Sequence, residues 1–155
     1  VTEHLHFVAR LYQQPAAIER IGPLLEELEL AGKQDALAHE LSRGMKQKLA
    51  IACGLIHEPR VLMLDEPLTG LDPVGIRRMK RTIAARAQAG AAVVLSSHLL
   101  QLVEELCTRV LIMQGGRRVA HGSVSEIVRE RPELSGQGLE EIFLSLTGRA
   151  EEAEG

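Results

Sequence analysis

The sequence predicts an α/β fold with a parallel sheet, entered through an all-helical N-terminal segment, and three observations predict it. Two apolar runs without alternation, Val61-Leu62-Met63-Leu64 and Ala91-Ala92-Val93-Val94-Leu95, have the pattern of strands buried on both faces. Between them Asp72-Pro73 opens a helix, with Asp at the cap and Pro at the first helical position, and Gly90 closes it. The first 40 residues show helical periodicity and no strand pattern. Strand, helix and strand from 61 to 95 make a βαβ unit, whose crossover is expected to be right-handed.

Taken in order, residues 3–13 read as a helix with Leu5, Val8 and Tyr12 on one face, ended by Gln13-Gln14-Pro15. His4 and His6 are two apart, so they point to different faces and do not form a ligand pair. From Pro15 to Leu28 a stripe of Ile18, Ile21, Leu25 and Leu28 continues the helical pattern, and Pro23 inside it suggests two short helices. Ala31 to Asp35 is a loop. Ser42 caps a third helix with Met45, Leu49, Ala52 and Ile56 as its stripe, ended by Pro59. The helix after Asp72 is expected to bury Val74, Ile76, Met79, Ile83 and Ala87, with Arg77, Arg78, Lys80 and Arg81 forming a solvated face. Leu99 to Cys107 is helical, and Val110–Met113 and Arg118–His121 form a hairpin about Gly115-Gly116. A helix from Ser123 to Arg131, a linker to Gly138, a short helix over Leu139–Leu146 and an acidic, disordered tail at 151–155 complete the chain. The expected division is a helical subdomain over 1–57, a core over 58–131 and a C-terminal helix with tail over 132–155.

Composition narrows the classes. One tyrosine, two phenylalanines and no tryptophan make a core of Leu, Val, Ile and Ala, and leave no surface for stacking bases. A net charge of -3 gives no field for nucleic acid. Cys53 and Cys107 belong to no CxxC pair and read as buried thiols in a reducing compartment. No apolar run approaches the roughly 18 residues of a membrane span, and residues 1–12, carrying Glu3, His4, His6 and Arg10, do not resemble a signal peptide. The start at Val1 is compatible with a fragment.

The chemistry gathers around Asp65-Glu66. In open α/β sheets ligands bind at the C-terminal ends of the strands, and two acids there can hold a metal ion and orient a nucleophile. Alone, the stretch is equally a buried strand whose last residues reach solvent. Two further features bear on the choice. His98 follows the second strand, on the same expected sheet edge. Ser42-Arg43-Gly44 forms a helix N-terminus whose free N–H groups and dipole attract an anion, with Gly44 permitting close backbone approach. Together these point to phosphate chemistry with Mg²⁺.

These residues also carry a resemblance. Leu41-Ser42-Arg43-Gly44-Met45-Lys46-Gln47 resembles the signature motif of ATP-binding cassette (ABC) ATPases, and Leu62-Met63-Leu64-Asp65-Glu66-Pro67 their Walker B strand. Gly70-Leu71-Asp72-Pro73 is similar to the D-loop and Ser97-His98 to the switch histidine, in the family's order and spacing over residues 1 to about 130. The Arg-Gly-Met-Lys-Gln form resembles that of ATPases paired with ABC-2 type exporters. The resemblance implies a partial P-loop NTPase (RecA-like) core with an N-terminal helical subdomain, ATP and Mg²⁺ as ligands, and ATP hydrolysis by the complete protein. It implies that Asp65 holds Mg²⁺, that Glu66 is the general base, and that His98 senses the γ-phosphate. Ser42, Arg43 and Gly44 would contact nucleotide held by the opposite subunit of a head-to-tail dimer, and Asp72 would link its two sites. The implied partners are a second ATPase subunit and a transmembrane permease. The protein would then be cytoplasmic, touching the inner face of the cell membrane only through that permease.

Two departures qualify this. Met45 stands where many members have Gln, an expected modest effect. The P-loop pattern G-x-x-x-x-G-K-[ST] occurs nowhere in the 155 residues, since Gly32-Lys33 is followed by Gln34. The polypeptide alone is therefore expected to bind ATP weakly and to be inactive, roughly the first third of the usual domain being missing from it. Its strands are expected to show an uncovered apolar edge. The alternatives are a non-catalytic module that retains dimer-forming surfaces, and a soluble non-transport ABC ATPase.

Overall fold

The computed structural model describes residues 1–148, which leaves the expected disordered tail at 151–155 outside the described residues. The chain forms two compact units, Val1–Ser97 and a second from His98 onward.

In the first unit α1 spans Thr2–Leu11 and buries Leu5 and Ala9, one turn apart on one face. Tyr12, expected on that stripe, lies just past the helix, is 52% exposed, and stacks on His57 with ring centroids 3.8 Å apart. The stretch after Pro15 does divide, into a 3₁₀ segment Pro15–Arg20 and α2 over Ile21–Glu27. The break falls at residue 20 rather than at Pro23, which sits in the first turn of α2, where its missing N–H has no intrahelical partner to lose. Helix α3 spans Arg43–Leu55 and buries Leu49, Ile51, Ala52 and Leu55.

Strands β1 (Val61–Asp65) and β2 (Ala92–Ser96) pair in parallel, from Val61 opposite Ala92 to Asp65 opposite Ser96, with α4 (Pro73–Gln88) between them. The expected burial on both faces is not what the strands show. Leu62 is buried, but Val61, Met63 and Val94 are 60%, 78% and 56% exposed. Helix α3 packs on β1 and α4 on β2; β1 and β2 pair only with each other among the described residues, and the face bearing Val61, Met63 and Val94 is left to solvent. The apolar run thus encodes a second covering layer that these residues do not supply. Helix α4 likewise buries Gly75, Met79, Thr82 and Ile83, whereas Val74 and Ala87, expected in the stripe, flank it and are exposed.

Charged contacts tie the helices together. Glu27 pairs with Arg86 at 2.7 Å, joining α2 to α4. Glu29, just past α2, receives Lys48 of α3 at 2.8 Å and Arg78 of α4 at 3.1 Å. The Lys48 hydrogen bond is the main cause that holds the Glu29 carboxyl below its ordinary pKa. Arg78, expected on a purely solvated face, is thereby engaged.

The second unit begins with α5 (Leu100–Leu106) and continues through the antiparallel hairpin β3 (Val110–Gln114) and β4 (Arg117–Gly122). Its two-residue turn is Gly115-Gly116, both at positive φ (54° and 74°), as a type I′ turn requires. Helices α6 (Val124–Glu130) and α7 (Leu139–Thr147) close over it around Ile112, Ile127, Leu134 and Ile142. Ser123 and Glu126 cap α6 reciprocally. Cys53 and Cys107 are free thiols, half-buried rather than fully buried, and burial raises the pKa of each. Among the described residues no helix is long and apolar enough to cross a membrane.

Candidate functional site

The C-terminal end of β1 carries the expected acids. Asp65 is exposed, and the Ser96 hydroxyl, directly across the parallel pair, donates to its Oδ1. Glu66 leaves the strand with φ 46°, a left-handed conformation that a residue with a Cβ holds at about 1–3 kcal/mol. Hydrogen bonds fix it there. Its N–H reaches the Ser96 carbonyl at 3.1 Å and Oγ at 3.3 Å. Its carbonyl accepts the Thr69 N–H at 3.2 Å and the Gln47 side-chain amide of α3 at 3.3 Å. Its carboxylate accepts the Thr69 hydroxyl at 3.2 Å. Pro67 and Leu68 then turn inward and are buried, anchoring the loop that follows.

Beside this set lies a second one. Ser42 caps α3 by accepting the Met45 N–H at 3.3 Å, from an extended backbone (ψ 165°) that suits an N-cap. Asp72 caps α4 by accepting the Gly75 N–H at 2.6 Å, with Pro73 at the first helical position. The two helix starts meet through glycines. A Cβ on Gly44 would lie 2.8 Å from the Gly70 carbonyl oxygen, and one on Gly70 would meet the aliphatic stem of Arg43 at about 3.5 Å. The close backbone approach read for Gly44 is therefore made, within this chain, to Gly70.

The structure thus brings Asp65 and Glu66 into one hydrogen-bonded set, and places Arg43, Gly44 and Asp72 in an adjacent one that Ser42 opens. His98 is exposed, two residues past β2, and is the first residue of the second unit. Three polar residues at the site escape a reading of the sequence alone. Thr69 carries a local signal, lying three residues after the acid it bonds. Ser96 follows once the strands are paired in register. Gln47 reaches Glu66 only through tertiary packing and has no local signal.

Asp65 suits one kind of metal site. Mg²⁺ takes oxygen ligands, commonly one or two carboxylates completed by water and substrate phosphates. Asp65 offers such a carboxylate in an exposed position, whereas no group of three or more His, Cys, Asp or Glu side chains among the described residues could hold an ion by itself. A cavity of about 610 Å³ lined by Arg20, Leu24, Arg60, Leu62, Arg86 and Ala91 lies at the opposite, N-terminal ends of the strands.

Residues 1–69 match the family model described as ABC transporter. The chain is 33% identical over 147 residues to the ABC-type transporter ATP-binding protein EcsA of Bacillus subtilis (strain 168), a match covering 94% of this chain and 59% of that protein. It is 32% identical over 161 residues to the Nod factor export ATP-binding protein I of Cupriavidus metallidurans (strain CH34), covering 99% of this chain and 53% of that protein. A solved structure described as the ATP binding subunit of an ABC transporter superposes with a TM-score of 0.88 at 35% identity, covering 94% of this chain and 61% of the solved one. The chain spans about half the length of the curated relatives it matches.

Proposed function

This chain is a homologue of the ATP-binding subunits of ABC transporters, and from that premise we propose that it supplies the hydrolytic and trans-acting part of an ATPase that drives solute through a membrane permease. The observation that carries this reading is the pair Asp65-Glu66 at the C-terminal end of β1, with Ser96 bonded to the first acid and Thr69 to the second.

The proposed roles follow the chemistry of each group. Asp65 would hold Mg²⁺, whose charge offsets that of the phosphates. Glu66 would accept a proton from the attacking water as general base. His98 would donate to the γ-phosphate and register its loss. The start of α3, with Ser42, Arg43 and Gly44, would meet nucleotide on an opposing subunit through N–H groups and helix dipole. Asp72 would relay between the sites of that head-to-tail dimer. Residues 1–57 would form the helical subdomain facing the permease, 58–131 the partial core, and 132–155 a C-terminal appendage. The working location would be the cytoplasmic face of the cell membrane, reached through the permease.

No P-loop occurs in these 155 residues, so the polypeptide by itself is expected to bind ATP weakly and to turn it over negligibly. The deciding experiment measures ATP turnover and ATP-stabilised dimers in the assembled transporter with Glu66→Gln. The expected result is a loss of turnover of at least about 100-fold, with dimers retained. Unchanged turnover removes Glu66 as the base. No turnover in the unaltered assembly favours the non-catalytic module instead.

A further inference from the structure

Glu66 stands in a backbone conformation that its residue type does not favour, and what holds it comes from two directions. Ser96 and Thr69 belong to the strand pair and to its own loop. Gln47 comes from elsewhere: it lies on α3, the helix that begins at Ser42, and its side-chain amide donates to the Glu66 carbonyl at 3.3 Å. The same carbonyl accepts the Thr69 N–H at 3.2 Å, and the Thr69 hydroxyl in turn holds the Glu66 carboxylate. One carbonyl oxygen is therefore shared by a bond to α3 and a bond to the residue that aims the acid. A second contact along the same helix face reinforces the link, because Gly44 seats against the Gly70 carbonyl one residue past Thr69.

We propose that Gln47 is a positioning residue for Glu66, clipping the helix that carries Ser42, Arg43 and Gly44 to the main chain that aims the acid in the same subunit. This deepens the reading of Glu66 as the base and rests on it for its effect on turnover; the clip itself stands on the geometry alone. Any displacement of α3 by an anion at its N-terminus is carried to Glu66 through this bond, so that occupancy of one site of a dimer adjusts the base of the other. Gln47 acts through the backbone it holds, the Glu66 carbonyl.

The test uses Gln47→Met, which keeps length and helix propensity but removes the donor, and Gln47→Lys, which keeps length and restores an N–H donor. The assembled ATPase supplies kcat and KM for ATP, and hydrogen exchange reads the amides of residues 66 and 68–71. In Gln47→Met, kcat is expected to fall about 10- to 100-fold, the scale of a sub-ångström to ångström misplacement of a reacting group. KM is expected to stay within about twofold, since ground-state binding is untouched, and the Thr69 amide to exchange faster. Gln47→Lys is expected to recover most of both. Wild-type exchange at residues 66 and 68–71 in Gln47→Met overturns the clip whatever the kinetics, and a raised KM with unchanged kcat overturns the positioning role. If Glu66→Gln keeps full turnover, the assignment of the base fails separately, and faster exchange at Thr69 in Gln47→Met still upholds the clip.

Discussion

The carbonyl oxygen of Gly70 stands where a side chain on Gly44 would have to go, 2.8 Å from the position of a Cβ. The contact joins the start of α3 to the loop before α4, and the blocking atom is main chain, which cannot swing aside as the end of a long side chain can. Gly44→Ala is therefore expected to destabilise the fold by about 1–3 kcal/mol through overpacking. Alanine's better helix propensity, about 1 kcal/mol, works in the other direction and does not remove the clash. Urea unfolding of the two proteins checks this; equal midpoints would show that the loop yields freely.

Asp72 has two separable jobs. As the cap of α4 it satisfies the Gly75 N–H, a role that Asn fills and Ala does not. Asp72→Ala is expected to lose about 1 kcal/mol of stability and Asp72→Asn a few tenths at most. If the carboxylate also relays between sites, Asp72→Asn alters turnover in the assembled transporter while leaving thermal stability in place. Equal stability loss in both variants would contradict the capping role.

Glu29 gives the fold a predictable acid response. Its folded pKa lies below its ordinary 4.5, chiefly because Lys48 donates to it. The stability it contributes is thus complete above about pH 5 and is lost as pH falls through the lowered folded value. The side chain is 37% exposed, so solvent screening keeps the effect small. Glu29→Gln should lower the unfolding midpoint at pH 7 and converge on the wild type at low pH. A constant offset from pH 7 to the acid limit would rule out this linkage.

The open face of the β1–β2 pair is a liability in solution. Met63 and Val94 are 78% and 56% exposed side by side on adjacent strands. Met63→Lys should raise the concentration at which the polypeptide begins to scatter light, while changing its stability by no more than about 0.5 kcal/mol. A large loss of stability would mean that Met63 is packed after all.

What the sequence made legible was local. The strands, the caps at Ser42 and Asp72, and the Gly115-Gly116 turn each rest on a few adjacent residues whose conformational needs are their own. The two acids were legible because their place at the end of an apolar run needs no partner to recognise. The hold on Glu66 was not, since Gln47 is 19 residues away and only packing brings it there. The exposure of Val61, Met63 and Val94 was legible only in part, as an uncovered apolar edge, because an apolar run states that a strand is fit to be covered, not which of its faces stays open. Tyr12 escaped its stripe because a ring partner, His57, lay outside the helix altogether.

That open face also sets the thermodynamic scale of the first unit. Val61, Met63 and Val94 already have more than half of their surface in water before unfolding, so they add little to the surface newly exposed. The denaturant slope and the heat-capacity increment both grow with that surface. Each should accordingly fall below what the length of the chain suggests, and a strand or sheet laid over the face would announce itself as a steeper unfolding curve.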